Sequence, residues 1–124
     1  MRATCVATTI LLVEDDHTIR ELAAMMLDAD GYQVLAAGTA QEAMALLAGH
    51  PEVDLIFSDV QMPGCDGVTM VRELRRRAVT IPALLTSGMK HPEPAALPAH
   101  TGFLPKPYSH AGLLQALRRL QQSR

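Results

Sequence analysis

Four places in the sequence carry groups able to do chemistry, and each follows an apolar run. Thr9 to Val13 leads into Glu14-Asp15-Asp16, and Asp54 to Ser58 leads into Asp59. Ile81 to Leu85 runs into Thr86-Ser87, and Gly102 to Pro105 into Lys106. Carboxylates brought together repel one another, and a hard divalent cation among them removes that repulsion. Mg2+ takes oxygen ligands in octahedral geometry and keeps several waters, so two or three carboxylate oxygens with one main-chain carbonyl suit it. The loop Val60-Gln61-Met62 can turn such a carbonyl inward, with Pro63-Gly64 fixing the turn. A lysine and a threonine hydroxyl complete a set suited to phosphoryl transfer, where catalysis is mostly positioning and charge neutralisation. A carboxylate can itself be the nucleophile and form an aspartyl phosphate. Asp59, central among these ends, is the acceptor this reading selects. Taken singly each acid has a plainer role: Asp16 can cap a first helix and Asp66 a third. Coincidence accounts poorly for four strand ends that carry complementary groups.

The intervening residues must bring those ends together. Thr9-Ile10-Leu11-Leu12-Val13 is a continuous apolar run, the pattern of a parallel strand covered on both faces. Ile19, Leu22, Ala23, Met26 and Leu27 recur at helical spacing and predict an inward stripe on a first helix that Gly31 ends. Tyr32 to Ala37 is a second strand. Thr39-Ala40-Gln41-Glu42 matches a capping box, so a second helix starts there and stops at Gly49-His50-Pro51. Asp54 to Ser58 is the third strand. Val68 to Arg77 is the third helix, with Val68, Val71 and Leu74 inward and Arg75-Arg76-Arg77 a solvated last turn favoured by the helix dipole. Ile81 to Thr86 and Gly102 to Pro105 are the last strands, and Ser109 caps a final helix with Leu113, Leu114, Leu117 and Leu120 on one stripe.

Strands alternating with helices imply βαβ units, hence an α/β fold with a doubly wound parallel sheet and helices on both faces. Ligands bind such sheets beyond the carboxyl ends of the strands, where the chemical residues stand. One connection breaks the alternation. Pro92, Pro94 and Pro98 fall where a fourth helix is due. Each interior proline costs a helix about 3 kcal/mol, so that helix is expected to be shortened or irregular.

Composition excludes several classes. The chain has 124 residues, one domain's worth, and its 48% hydrophobic residues suffice for a core built without many aromatics. A net charge of -2 gives no basic nucleic-acid footprint. Cys5 and Cys65 form no metal or redox motif and read as free thiols of a reducing compartment, while the five histidines are scattered. The uncharged stretch from Ala3 to Val13 is too short to span a bilayer. A soluble, cytoplasmic protein without a membrane partner is expected.

Together these residues resemble the receiver domain of bacterial two-component response regulators. The motifs are ILLVEDD (10–16), SDVQMPGCDG (58–67), LLTSG (84–88) and FLPKPYS (103–109), in that order and spacing. The resemblance runs from residue 8 to 124 and leaves 1–7 as a tail. It implies a five-stranded sheet of flavodoxin-like order 2-1-3-4-5. It also implies Mg2+, with Mn2+ as the alternative, held by Glu14, Asp15, Asp59 and the Gln61 main-chain carbonyl, Asp15 ahead of Glu14 as direct ligand. Asp59 is then the phosphoacceptor, Thr86 and Lys106 contact the phosphoryl oxygens, Thr86 and Phe103 form the switch, and Pro107 follows a cis peptide bond. The implied partners are a histidine kinase or histidine phosphotransfer protein and a downstream protein. The expected state is a monomer or weak dimer. The family is not enzymatic beyond self-phosphorylation and autodephosphorylation.

After Leu120 only Gln121 to Arg124 remain, so signalling is expected to pass through protein contact or onward phosphotransfer, unless the chain is a receiver excised from a hybrid histidine kinase. Two other classes fit less well. An Mg2+-dependent aspartyl phosphatase would have Asp-x-Asp after the first strand, where this chain has Glu14-Asp15-Asp16. A flavodoxin-like cofactor binder would offer Ser, Thr and Gly to phosphate there, whereas this loop is acidic.

Overall fold

A computed structural model describes residues 7–88 and 96–122. Strands β1 (Thr9–Val13), β2 (Gln33–Ala37), β3 (Val53–Asp59), β4 (Ala83–Ser87) and β5 (Thr101–Pro105) form one parallel sheet in the order β2-β1-β3-β4-β5. Helices α1 (His17–Ala29), α2 (Ala40–Gly49), α3 (Gly67–Arg76) and α4 (His110–Gln122) connect or follow them. Each expected strand is present, with ends displaced by a residue or two. Among the described residues no helix is long and apolar enough to cross a membrane.

The alternation of side chains along each strand divides the core into two layers. Leu11 and Val13 of β1, Ile56 of β3 and Leu85 of β4 face α2 and α3, meeting Ala43, Met70, Val71 and Leu74. Ile10 and Leu12, with Leu55, Phe57 and Leu84, face α1 and α4, meeting Ala23, Leu27, Leu113 and Leu117. All of these side chains are buried. With both faces covered, β1 and β4 have no polar face to offer, which is why they read as unbroken apolar runs.

Helix starts follow their local chemistry. The Asp16 carboxylate accepts the Ile19 N–H, Thr39 Oγ1 that of Glu42, and the Asp66 carboxylate that of Thr69. Ser109 Oγ accepts the Gly112 N–H at the start of α4. Each cap satisfies an amide that has no intrahelical partner.

Two expectations need correction. Ala23, Met26 and Leu27 of the expected α1 stripe do pack on the sheet, but its other two members do not: Leu22 is 57% exposed and Ile19 is exposed as well. Apolar residues lie almost all round this helix, so periodicity alone drew the stripe too wide, and its Ile19–Leu22 edge turns to solvent. The last turn of α3 is not uniformly solvated either. Arg76 and Arg77 pair with Glu73 at the surface. Arg75 instead is half-buried and donates to the main-chain oxygens of Val79 (2.8 Å), Ala99 (2.7 Å) and His100 (3.2 Å), and Arg72 donates to that of Ala96 (2.9 Å). These two arginines fasten the end of the proline-rich connection to α3. The expected irregular fourth helix falls largely outside the described residues; of that connection, 96–100 form turns rather than a continuous helix, with Leu97 packed on the α3 side of the core.

Candidate functional site

The carboxyl ends of β1, β3, β4 and β5 gather the residues singled out from the sequence. Asp59 closes β3 and stands in register beside Thr86 of β4, and Ser87 pairs with Pro105 just before Lys106. The Lys106 main-chain N–H extends that ladder to the Ser87 oxygen at 3.0 Å. Its ammonium donates to Asp59 Oδ2 at 3.1 Å and lies 3.6 Å from Glu14 Oε1. The Lys106–Pro107 peptide bond is cis.

The acids are arranged unequally. Glu14 is 5% exposed and Asp59 8%, whereas Asp15 faces solvent. One oxygen from each of the three lies within 4.8 Å of the others. Glu14 Oε2 accepts the Asp16 N–H at 3.1 Å, and Asp59 Oδ1 accepts the Gln61 N–H at 3.2 Å. The second contact turns the Val60-Gln61 loop over the end of β3, and Val60 is held there by its N–H to the Thr86 oxygen. Asp16 is spent on the helix cap and stands outside the triplet.

This geometry perturbs two groups. Burial pushes the Glu14 carboxyl above the ordinary glutamate range; Asp59 and Asp15 act the same way, against the Asp16 amide and Lys106. Burial alone would lower the Lys106 ammonium, but the hydrogen bond and charge of Asp59, with that of Glu14, outweigh it and hold the lysine above its usual value. Among the described residues a single lysine thus faces two inward carboxylates, with the third acid at the rim. The excess of negative charge among the described residues and the close oxygens fit a divalent cation held by Glu14, Asp15 and Asp59.

Thr86 is 3% exposed, and its Oγ1 has no hydrogen-bond partner among the described residues. A buried hydroxyl left unpaired costs about 1–3 kcal/mol, so its place beside Asp59 asks for an acceptor that arrives from outside. Phe103, in register with Leu85, is half-buried against the α3 side of the core together with Leu97.

Sequence reasoning overlooked three contributors. Gly67, the first residue of α3, leaves room for the Asp59 main-chain oxygen: a Cβ there would lie 2.4 Å from it. Arg20 Nη1 donates to the Glu14 main-chain oxygen at 2.8 Å. Tyr108 sets its ring edge-on to Phe57 at 5.8 Å beneath the Lys106 segment. Gly67 and Tyr108 stand within the quoted motifs SDVQMPGCDG and FLPKPYS and so had a visible signal; Arg20 depends on tertiary placement.

A family model described as "Response regulator receiver domain" matches residues 10–118. The sensor kinase CckA of Brucella abortus (strain 2308) is 40% identical over 107 residues, covering 83% of this chain and 11% of that protein. Among solved structures, the receiver domain of the hybrid histidine kinase CckA superposes with a TM-score of 0.78 at 35% identity, covering 92% of this chain and 99% of that one. The chemotaxis protein CheY4 of Vibrio cholerae gives 0.81 at 31% identity, covering 93% and 99%. The chain spans less than half the length of the curated relatives it matches.

Proposed function

Because the chain belongs to the response regulator receiver domain family of two-component systems, we propose that Asp59 accepts a phosphoryl group from a phosphohistidine and that the new charge switches the surface around β4 and β5. The observation that carries this reading is the Thr86 hydroxyl, buried in register with Asp59 and unpaired. A phosphoryl oxygen on Asp59 supplies the acceptor that hydroxyl lacks.

The chemistry follows from the geometry. One Asp59 carboxylate oxygen attacks phosphorus; an O–P bond forms as the P–N bond breaks, and the imidazole nitrogen leaves with that electron pair. Lys106, already bonded to Asp59, neutralises one phosphoryl oxygen, and Thr86 donates to another. Glu14, Asp15, Asp59 and the Gln61 main-chain carbonyl are the groups that would hold Mg2+, or Mn2+ in its place, and the cation supplies charge neutralisation for the phosphoryl oxygens when bound.

Phosphorylation adds about 1.5 to 2 negative charges at the end of β3. It acts as a switch only by favouring one of two states differentially. Thr86 moving toward the phosphate vacates space beside β5, and Phe103, half-buried one register position away, takes up the change. The donor is a histidine kinase or histidine phosphotransfer protein, and the output is contact with a further protein. The net charge of -2 favours neither DNA nor RNA as that output. The protein works in the cytoplasm as a monomer or weak dimer and turns over no substrate beyond its own phosphoryl group.

Amide NMR spectra with beryllofluoride and Mg2+ test the switch. Thr86 and Phe103 should shift in the wild type, and Lys106→Ala should bind Mg2+ yet lose those shifts. A wild-type spectrum that does not change on adding the mimic would sink the reading.

A further inference from the structure

Resting on that reading, we propose that Arg20 is a positioning residue for the Mg2+ site, setting the orientation of the Glu14–Asp15 peptide from outside the acidic cluster. Glu14 is fixed at several points. Its N–H continues the sheet ladder to the Ala37 oxygen at 3.0 Å, and its carboxylate takes the Asp16 amide. Its main-chain oxygen lies beyond the end of β1, and the Arg20 guanidinium takes it at 2.8 Å. The torsions on either side of that peptide, ψ of Glu14 and φ of Asp15, set the course on which the chain carries Asp15 and the Asp16 N–H past Glu14. The group that holds the carbonyl therefore restrains how the Asp15 carboxylate is placed against that of Glu14.

The surroundings of Arg20 are built to hold it. Its own N–H bonds the Asp16 oxygen at 2.8 Å, placing it one turn into α1 directly below the acidic loop. Its guanidinium lies against Gly38, just after β2; a Cβ on Gly38 would sit 3.2 Å from Nη1 and 3.9 Å from Cζ. Glu42 Oε1 bonds the Gly38 N–H at 2.8 Å and fixes that loop in turn. Arg20 thus meets a carbonyl on one side and the bare Cα of Gly38, with Glu42 Oε1 close by, on the other. It binds a peptide oxygen rather than a carboxylate, so its part is alignment.

Its positive charge alone would disfavour a nearby cation, so charge and alignment make opposite predictions for its removal. Alignment outweighs charge here. Groups that orient metal ligands typically contribute 10- to 100-fold in affinity, so Arg20→Ala should weaken Mg2+ binding about tenfold or more. Arg20→Lys, which keeps the charge and reaches the carbonyl less well, should fall between. Gly38→Val, which crowds the guanidinium while leaving Arg20 in place, should reproduce a large part of the loss.

The measurement is isothermal titration of Mg2+ into the unphosphorylated protein, with melting temperatures recorded in EDTA. Arg20→Ala that binds Mg2+ as tightly as the wild type, or more tightly, overturns the proposal even where its melting temperature falls. Should Arg20→Ala not fold, unchanged affinity in both Arg20→Lys and Gly38→Val overturns it instead. A wild-type protein that takes up no Mg2+ refutes the metal site itself, a failure visible before any variant is compared.

Discussion

Replacing Gly67 by alanine should displace the phosphoacceptor without touching its chemistry. A Cβ on Gly67 would stand 2.4 Å from the Asp59 main-chain oxygen, 3.2 Å from Ser58 Oγ and 3.3 Å from the Asp59 carbonyl carbon. Ordinary contact begins near 3.4 Å, so the two backbones must separate by about 1 Å. Neither side yields cheaply. Asp59 ends a buried strand and its oxygen already accepts Ser58 Oγ at 2.9 Å, while Gly67 N–H holds the Val60 oxygen at 2.8 Å. Overpacking of this kind costs about 1–3 kcal/mol in stability. A 1 Å misplacement of a reacting group can cost about 100-fold in rate. The assay is phosphoryl incorporation from acetyl phosphate with Mg2+, followed by intact mass well below the melting temperature. Gly49→Ala, where a Cβ meets nothing within 4 Å, is the control and should react at the wild-type rate. A Gly67→Ala protein with both wild-type rate and wild-type melting temperature would refute the steric reasoning.

Two further predictions concern stability. Because the folded protein holds the Glu14 proton more tightly than the unfolded chain does, stability falls as pH rises from about 4.3 through the higher folded value. Glu14→Gln should therefore melt above the wild type at neutral pH in EDTA, lose that advantage below about pH 4.3, and bind Mg2+ less well; equal melting temperatures across pH 4 to 8 would contradict this. Arg75→Met removes three bonds to the oxygens of Val79, Ala99 and His100 and should cost about 2–3 kcal/mol in urea denaturation. Arg76→Met, which breaks only an exposed pair with Glu73, should cost no more than about 0.5 kcal/mol; equal losses would show that the Arg75 contacts do not fasten the connection.

Both the sheet and the gathering of the candidate residues at one edge were legible because each depends on short sequence runs. A parallel strand buried on both faces leaves an apolar stretch that needs no neighbour to interpret, and in this fold the ligand edge is where such stretches end. The convergence of Glu14, Asp15, Asp59, Thr86 and Lys106 on that edge could therefore be read from position. The width of the α1 stripe was misread because apolar residues surround the helix: Ala23, Met26 and Leu27 pack on the sheet, whereas Ile19 and Leu22, at the edge of the stripe, do not. Arg75 was misread because three consecutive arginines look alike in sequence. Only the fold brings main-chain oxygens from 99 and 100 within reach of one of them. Arg20 and Gly38 were missed for the same reason, being eighteen positions apart in sequence (38 − 20) and brought together where α1 packs against the end of β2.

The central claim is that Asp59 is the phosphoacceptor, and intact mass spectrometry after incubation with acetyl phosphate and Mg2+ tests it most directly. One phosphoryl group should be added to the wild type and none to Asp59→Asn. No adduct on the folded wild type, or an adduct of equal extent on Asp59→Asn, would contradict it.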